Sequence, residues 1–398
     1  MVGVMHLTSI LLDEFARRQQ VHINDSQKQA IRLAALLHDL GHGPFSHTFE
    51  EFAQLEYRFD HEKTMRSILR TDKNLIRILG RDLEKIRKFA CENKYIGCIP
   101  SEVISGDIGT DRMDYLIRDT YYTGLGHRPD ISSLVSSILL VPSGNARKRI
   151  AVDPEDVSCV ELLSTARYYH FGMIAHRKEC RTREFLLLKA MQERLRSARG
   201  RDKWKRYMKR FSEFDDYQLI GDLRSNSNRF MRMIDHNEAL ETPYRIRLGE
   251  VRWAISRYCL YRLHYSDRSL RHYCKLKSRE LSRHFRSFGC GDLYVDLNIW
   301  KHEVGDIISY RSRYRTRKEY FSALLCDESF ILRDIAGAEA LSSTLSVYAC
   351  PGNRKALASL SRALEMQREK LLSSEEWTTV TRKLIHKYGF CTPDEVLI

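Results

Sequence analysis

Apolar residues recur along most of the chain at the spacing of one helix face. The clearest run extends from Ala30 to Leu37. Ser26 to Gln29 precedes it with the pattern of a capping box, and Gly41 to Pro44 follows it with residues that end helices. Similar spacing predicts helices over Cys159 to about Leu195 and over Lys355 to about Leu371. The pattern predicts a mainly α-helical fold.

Two stretches depart from helical spacing and predict one or two small β-hairpins. Ile138 to Val152 places a Pro-Ser-Gly-Asn turn between two apolar segments. Tyr310 to Arg317 alternates arginine with other residues, so a strand there would carry all its guanidinium groups on one face. Those residues are candidates for binding an anion, an allosteric nucleotide first and nucleic acid second: Arg311, Arg313, Arg315 and Arg317.

With 398 residues, the chain exceeds one ordinary domain core. The helical pattern breaks at Ser197 to Gly200, which predicts an N-terminal domain over residues 1–200 and a second region over 201–398. The formal net charge is +14. Between Arg252 and Lys318 there are 16 Lys or Arg against 6 Asp or Glu, so we expect the second region to be basic, mostly helical and suited to oligomerisation or regulation.

Several functional classes are disfavoured. The longest apolar runs are too short to span a bilayer, and no signal peptide is evident, so a cytoplasmic protein without membrane association is expected. None of the ten cysteines forms a C-x-x-C pair, which argues against a structural zinc site. The absence of a P-loop pattern disfavours an ATP-driven motor.

Candidate chemistry concentrates in the ten residues from His38 to His47, which hold three histidines and an aspartate among two glycines and a proline. One such histidine alone would more often be a capping or core residue. Adjacent His38 and Asp39 at a helix end can both turn toward one ion, and imidazole and carboxylate are natural ligands for a divalent metal. The whole cluster therefore predicts a metal site.

The segment from His38 to His47 resembles the signature of the HD-domain dNTP triphosphohydrolases, a family that includes the bacterial dGTPases. Later segments match the family in the same order. The matching segments are Phe59 to Glu62, Asp111 to Leu116, Arg118-Asp119, Ala166 to Tyr168, His176 to Lys178, Phe214 to Tyr217 and Ala336 to Tyr348. The resemblance is strong over residues 1–185 and loose beyond them.

This resemblance implies a role for each matching residue. The implied metal ligands are His38, Asp39 and Asp111. The implied catalytic residues beside the scissile phosphate are His42 and His61, oriented by Glu50, with His47 as an acid for the leaving group. The implied substrate-binding residues are Arg112, Arg167 and Lys178 for the phosphates, and Tyr115 and Asp119 for the sugar. The implied cofactor is a divalent metal: Fe, Mn, Mg, Co, Ni or Zn.

One family feature has no counterpart in the printed residues. The family's first metal ligand is a histidine that would fall one position before Met1. His6 does not replace it, because six positions along a helix turn the side chain by roughly 240° and advance it nearly 9 Å. Either the histidine lies upstream in a longer chain, or only three protein ligands hold the metal.

Three functions remain open. The first is hydrolysis of a dNTP to deoxynucleoside and triphosphate, in an enzyme expected to be a homo-oligomer with a possible allosteric nucleotide. The second is a phosphodiesterase or nuclease that uses the same metal, with the basic second region as a nucleic-acid surface. The third is a nucleotide-sensing protein whose degenerate site binds without catalysis.

Overall fold

The computed structural model describes most of the first 237 residues and only short segments after them. The described stretches are 1–92, 94–126, 128–143, 147–225, 228–237, 241–247, 293–298, 308–314, 317–324, 344–349 and seven isolated positions between 329 and 362.

Helices dominate the described residues, which confirms the predicted mainly α-helical class. They are α1 Val2–Gln19, α2 Asp25–Leu37, α3 Ser46–Tyr57, α4 His61–Thr71, α5 Lys73–Leu79, α6 Leu83–Glu92, α7 Glu102–Ser105, α8 Thr110–Thr123, α9 Ile131–Ser137, α10 Val157–His170, α11 Lys178–Leu195, α12 Ala198–Lys209, α13 Asp216–Arg224 and α14 Arg229–Asp235. None of the helices described here is long and apolar enough to cross a membrane.

More strand is present than the sequence predicted. The described strands are β1 Tyr95–Ile96, β2 Ile99–Pro100, β3 Ile138–Pro142, β4 Lys148–Val152, β5 Glu241–Arg247, β6 Leu293–Asn298, β7 Ile308–Tyr314, β8 Arg317–Leu324 and β9 Thr344–Ala349. They form three sheets, with the orders β1-β2, β3-β4-β7-β8 and β5-β9-β6. The described part of the second region is therefore rich in strand, where mostly helix was expected.

The chain divides into two compact units. The first comprises Met1–Glu238 and Ile307–Glu328, and the second comprises Ala239–Asp306 and Ser329–Ile398. The boundary predicted near residue 200 falls in the first turn of α12, within the first unit. Assigning separate roles to residues 1–200 and 201–398 stays a prediction.

The first unit is built around α1, whose apolar face packs on α2 and α8. Val4, Leu7, Leu11 and Phe15 recur at helical spacing along α1 and are buried. Full burial of one such side chain contributes about 1.5–3 kcal/mol. This face fixes α1 beside α8, the helix that carries Asp111.

Gly3 lies where α1 meets the Asp114 side chain of α8. A Cβ atom at Gly3 would lie 1.9 Å from Oδ1 of Asp114, so a larger residue would require that side chain to move. Five residues further along α1, the hydroxyls of Thr8 and Thr110 lie 2.7 Å apart and are buried. These contacts fix the height of Asp111 along α1.

The start of α2 differs from the sequence prediction. Asn24 is the N-cap residue; its side chain accepts a hydrogen bond from the backbone N–H of Gln27, and the Gln27 side chain accepts one from the backbone N–H of Asn24. The capping box thus begins two residues before Ser26. Asparagine serves as well as serine here because both side chains offer an oxygen to the same backbone donor.

The single helix predicted over Cys159 to Leu195 is divided in two. After α10, residues Phe171–Ala175 form a π-helical turn, and α11 begins at Lys178. A π turn widens the helix by one residue, so it changes the face presented by everything after it. Apolar spacing did not reveal the break because both halves keep a buried stripe.

The predicted hairpin at Ile138 to Val152 is present as the antiparallel pair β3-β4. The second predicted strand is not one strand. β7 ends at Tyr314, and Arg317 begins β8 and pairs with Tyr314 across the hairpin. Arg311 and Arg313 therefore lie on one strand and Arg317 on the next, because the chain reverses where a continuous strand was expected. Arg315 lies outside the described residues.

Two other predicted segments lie mostly outside the described residues. Of Lys355 to Leu371 the structure describes positions 358, 361 and 362, all helical. Of the family segment Ala336 to Tyr348 it describes Thr344 to Tyr348, within β9.

Candidate metal centre and phosphate site

The segment that follows α2 runs as a series of tight turns. His38 caps the helix, and backbone bonds join Leu40 to Leu37 and His42 to Asp39. A Cβ atom at Gly41 would lie 1.9 Å from the backbone oxygen of His61, so glycine lets this segment lie directly against α4. That approach places the segment's histidines beside His61.

The end of the same segment is held by a distant side chain. Phe45 and Ser46 have φ angles of 54° and 40°, in the left-handed region that non-glycine residues adopt only at a cost. The backbone N–H of Phe45 donates to the Asp216 carboxylate over 2.9 Å. Asp216 thus stabilises the turn from which His47 projects. Only the resemblance of Phe214 to Tyr217 had drawn attention to this part of the sequence.

His38, Asp39 and Asp111 come together at the end of α2 and the start of α8. Nε2 of His38 lies 3.1 Å from a carboxylate oxygen of Asp39 and 3.3 Å from one of Asp111. The three side chains offer ligand atoms within 4.8 Å of one another. Their spacing is that of donors around one ion.

The chemistry of this cluster fits a divalent cation. Nδ1 of His38 lies 2.8 Å from the backbone oxygen of Ala35 and donates to it, while the buried Nε2 makes no well-formed hydrogen bond. Burial lowers the pKa of His38, but Asp111 and Asp39 raise it by more, to about 10. Two carboxylates therefore demand a positive charge at Nε2, which a metal ion would supply in place of a proton.

The amino-terminal group of the chain lies close to this cluster. Burial raises the pKa of Asp39, but His38, His42 and the amino group of Met1 lower it by more. His6, further along α1, is exposed. The fourth ligand that the family resemblance implies, one position before Met1, stays a prediction.

A second cluster adjoins the first and contains the residues predicted to act beside the scissile phosphate. The rings of His42 and His61 stack at 4.2 Å between centroids, and His47 meets His42 edge-on at 5.4 Å. His61 Nδ1 donates to Glu50 over 2.6 Å. His47 is exposed and His42 half-buried. The structure thus brings all four predicted residues together; their catalytic roles stay predictions.

Glu50 makes the two stacked histidines electrostatically unequal. Burial lowers the pKa of His61, but the hydrogen bond and charge of Glu50 raise it by more. Burial raises the pKa of Glu50, but His61 lowers it by more, to about 2. His42 has its pKa lowered by burial and by the nearby charge of His61. Of the two histidines, His61 therefore binds a proton more readily, and His42 stays neutral over a wider pH range.

Replacing Glu50 with glutamine is expected to lower the pKa of His61, because the neutral amide no longer favours the imidazolium form. The pKa of His42 should change less, because loss of the Glu50 charge lowers it while the smaller charge on His61 raises it. NMR titration of the imidazole signals in metal-free protein measures both, with Glu51→Gln as a neighbouring control. An unchanged His61 pKa would contradict the orienting role of Glu50.

The residues predicted to hold phosphates lie on α10, α11 and α8. Arg167 is 5% exposed on the last turn of α10, and its guanidinium carbon lies 4.8 Å from the ring centre of Phe171. Lys178 is exposed at the first position of α11. Arg112 donates to both the backbone oxygen and the carboxylate of Asp107, each over 2.9 Å. Arg112 is therefore already held by an acidic partner, which the sequence did not reveal.

Tyr115 and Asp119 lie one turn apart on α8, as a sugar-binding pair would. A residue that the sequence analysis missed joins them: His170, the last residue of α10. Its Nε2 donates to the Asp119 carboxylate over 2.6 Å, and its ring lies 5.5 Å from that of Tyr115. The only local signal was its spacing of three residues from Arg167, which places both on one helix face.

Comparisons with known proteins agree with this geometry. Residues 1–103 match the HD domain family. The matched residues include His38, Asp39 and the histidine cluster beside them, and helices dominate this part of the chain.

Particular relatives extend the similarity beyond residue 103. The chain is 30% identical over 199 residues to the uncharacterized protein YwfO of Bacillus subtilis. The aligned residues cover 48% of this chain and 42% of YwfO. It is 28% identical over 205 residues to the deoxynucleoside triphosphate triphosphohydrolase SAMHD1 homolog of Dictyostelium discoideum. That alignment covers 48% of this chain and 39% of the homolog. The matches thus span less than half of each relative.

A solved structure shares the fold over most of the chain. It is a phosphohydrolase from Bacteroides thetaiotaomicron, with a TM-score of 0.63 and 16% identity, covering 88% of this chain and 86% of that one. At this identity the likeness shows the fold and leaves the substrate open.

Proposed function

We propose that the chain hydrolyses deoxynucleoside triphosphates to deoxynucleoside and triphosphate, with a divalent metal held by His38, Asp39 and Asp111. The observation that carries the proposal is the buried Nε2 of His38 facing two carboxylates, directly beside a cluster of histidines. The relative in Dictyostelium discoideum and another in Gallus gallus are named as deoxynucleoside triphosphate triphosphohydrolases, which supports the choice of substrate.

When bound, the metal would lower the pKa of a water molecule and polarise the phosphoryl oxygen. Its identity among Fe, Mn, Mg, Co, Ni and Zn is open, because one imidazole and two carboxylates suit several of them. Water attacks the α-phosphorus, the bond to the 5′-oxygen breaks, and the leaving oxygen takes a proton.

The histidine cluster supplies the proton chemistry. His61 is held by Glu50, which raises its pKa and favours the protonated form that can donate a hydrogen bond to a phosphoryl oxygen as negative charge develops there. His42, whose pKa is lowered, can accept a hydrogen bond from the attacking water. His47 is exposed at the edge of the cluster, where it can deliver a proton to the leaving 5′-oxygen.

The cationic residues neutralise the phosphate chain. Arg167 is nearly buried, so its guanidinium has little water around it and interacts strongly with a phosphate oxygen. Lys178 is exposed and suits the outer end of a triphosphate. Arg112, bound to Asp107, has less freedom to turn toward the substrate and we expect its contribution to be the smallest.

Product analysis tests this proposal against its alternatives. Incubation of the chain with each dNTP and each candidate metal is expected to release inorganic triphosphate and deoxynucleoside in equal amounts. Shortened oligonucleotides from single-stranded DNA, without triphosphate from dNTPs, would favour a nuclease instead. Tight dNTP binding without any product would favour a sensor.

Two further proposals concern a regulatory ligand at the arginine row and the assembly of the chain into oligomers. A basic surface attracts phosphate-bearing partners, so an activating nucleotide or nucleic acid at Arg311, Arg313, Arg315 and Arg317 stays a prediction. Homo-oligomerisation through the second region, residues 201–398, is proposed from the family resemblance. Arg311 and Arg313 lie on β7 and Arg317 lies on β8. The proposed binding surface would therefore be formed by a β-hairpin and not by a single strand.

A further inference from the structure

Three side chains from two helices meet at the place where the proposed site would hold a sugar. Asp119 and Tyr115 come from α8, and His170 comes from the end of α10. The hydrogen bond from His170 Nε2 to Asp119 Oδ2 measures 2.6 Å. The contact joins residues 51 positions apart, so it exists only because α8 packs on α10.

The two partners differ in their access to a ligand. The His170 side chain is 10% exposed, whereas that of Asp119 is 42% exposed. The buried Nδ1 of His170 makes no hydrogen bond among the described residues, so the bond to Asp119 is what orients the ring. His170 thus holds the Asp119 carboxylate through Oδ2, while the carboxylate stays accessible to a ligand from solvent.

We propose that His170 is a positioning residue that sets the recognition of the sugar hydroxyl, by holding the Asp119 carboxylate in one orientation. This inference rests on the proposed function. A dNTP carries one free hydroxyl on its sugar, the 3′-hydroxyl, because the 5′-oxygen is esterified and the 2′ position has none. With Oδ2 bonded to His170, Oδ1 of Asp119 accepts a hydrogen bond from that hydroxyl.

The position of His170 also connects the sugar and phosphate parts of the site. Arg167 lies three residues earlier on the same face of α10, and the π-helical turn begins one residue after His170. A single helix end therefore fixes both the guanidinium that would meet a phosphate and the imidazole that orients Asp119. Helix geometry sets the spacing of these two side chains, and a ligand that carries a sugar and phosphates together would meet both.

Two substitutions separate this role from simple packing. His170→Gln places an amide N–H near the position of Nε2 and should preserve the bond to Asp119. His170→Asn is shorter, places its amide near the position of Nδ1 and should lose that bond. Both introduce a neutral amide, so a general loss of packing would affect both. His22→Asn, at an exposed histidine, is the control for removing an imidazole.

The experiment compares KM for dNTPs and for 2′,3′-dideoxynucleoside triphosphates, which lack the hydroxyl. For dNTPs, His170→Asn is expected to raise KM roughly ten-fold, the usual effect of losing a hydrogen bond that involves a charged group, and His170→Gln to stay near the wild type. For the dideoxy substrates neither variant should change KM. In an Asp119→Asn background, His170→Asn should add no further effect for dNTPs.

The outcomes distinguish this inference from the proposed function. Triphosphate release by the wild type establishes the activity first. If an active wild type and His170→Asn share the same KM for dNTPs, or if dNTPs and dideoxy substrates are affected equally, the positioning role is overturned. If the wild type releases no triphosphate at all, it is the proposed function that fails, and direct dNTP binding to the same variants then decides the role of His170.

Discussion

Asp111→Ala is expected to abolish phosphohydrolase activity, lowering the rate at least about 100-fold, and to reduce bound metal. Outer-shell changes at metal sites already cost 10–100-fold, and Asp111 is a direct ligand in the proposed centre. Its carboxylate is one of two facing Nε2 of His38, so its loss removes half of the negative charge that attracts the cation. His38→Ala should have the same effect, since it removes the nitrogen donor.

Metal content by mass spectrometry and triphosphate release by chromatography measure the two effects in one preparation. Asp13→Ala and His6→Ala are matched controls, because they remove a carboxylate and an imidazole from exposed positions outside the proposed centre. Circular dichroism checks that each variant folds. Full activity and unchanged metal content in Asp111→Ala would show that another carboxylate holds the metal.

Arg167→Gln is expected to lower kcat/KM for dNTPs by about 100-fold or more. Removing one donor that stabilises developing charge typically costs 10²–10³-fold. Arg167 has this leverage because it is 5% exposed, and a positive charge shielded from water interacts strongly with a bound phosphate. Lys178→Gln should cost less, since its ammonium is exposed to water.

Two further variants sharpen this test. Arg167→Lys keeps the charge and loses the planar pair of donors, so it should recover part of the activity. Arg183→Gln, an exposed arginine on α11, is the control and should behave as the wild type. Wild-type kcat/KM in a folded Arg167→Gln variant would exclude Arg167 from the phosphate site.

The proximity of most of the candidate metal and catalytic residues could be predicted from the sequence because it is local. His38, Asp39, His42 and His47 lie within ten residues, and the end of α2 brings their side chains to one place. Asp111 is distant in sequence, so its inclusion depended on family resemblance. The packing of α1 on α8 at Gly3 and Thr8 is what places it, and no periodicity reveals such a contact.

Other features could not be predicted because they arise only from packing. The π-helical turn at Phe171–Ala175 leaves the apolar spacing on either side intact, and so a single helix was expected. His170 became visible as a partner only once α8 and α10 were in contact. The chain reverses after Tyr314, but the alternation of arginine with other residues is compatible with one strand or with two, so the reversal could not be predicted from it.

The most direct test of the central claim is the destination of solvent oxygen during dNTP hydrolysis in ¹⁸O-labelled water. Attack of water at the α-phosphorus, in a site where His38, Asp39 and Asp111 would hold the metal, predicts one ¹⁸O atom in the released triphosphate and none in the deoxynucleoside. The label should disappear with the activity in Asp111→Ala. Label in the deoxynucleoside, or in orthophosphate or pyrophosphate without labelled triphosphate, would contradict the proposed reaction.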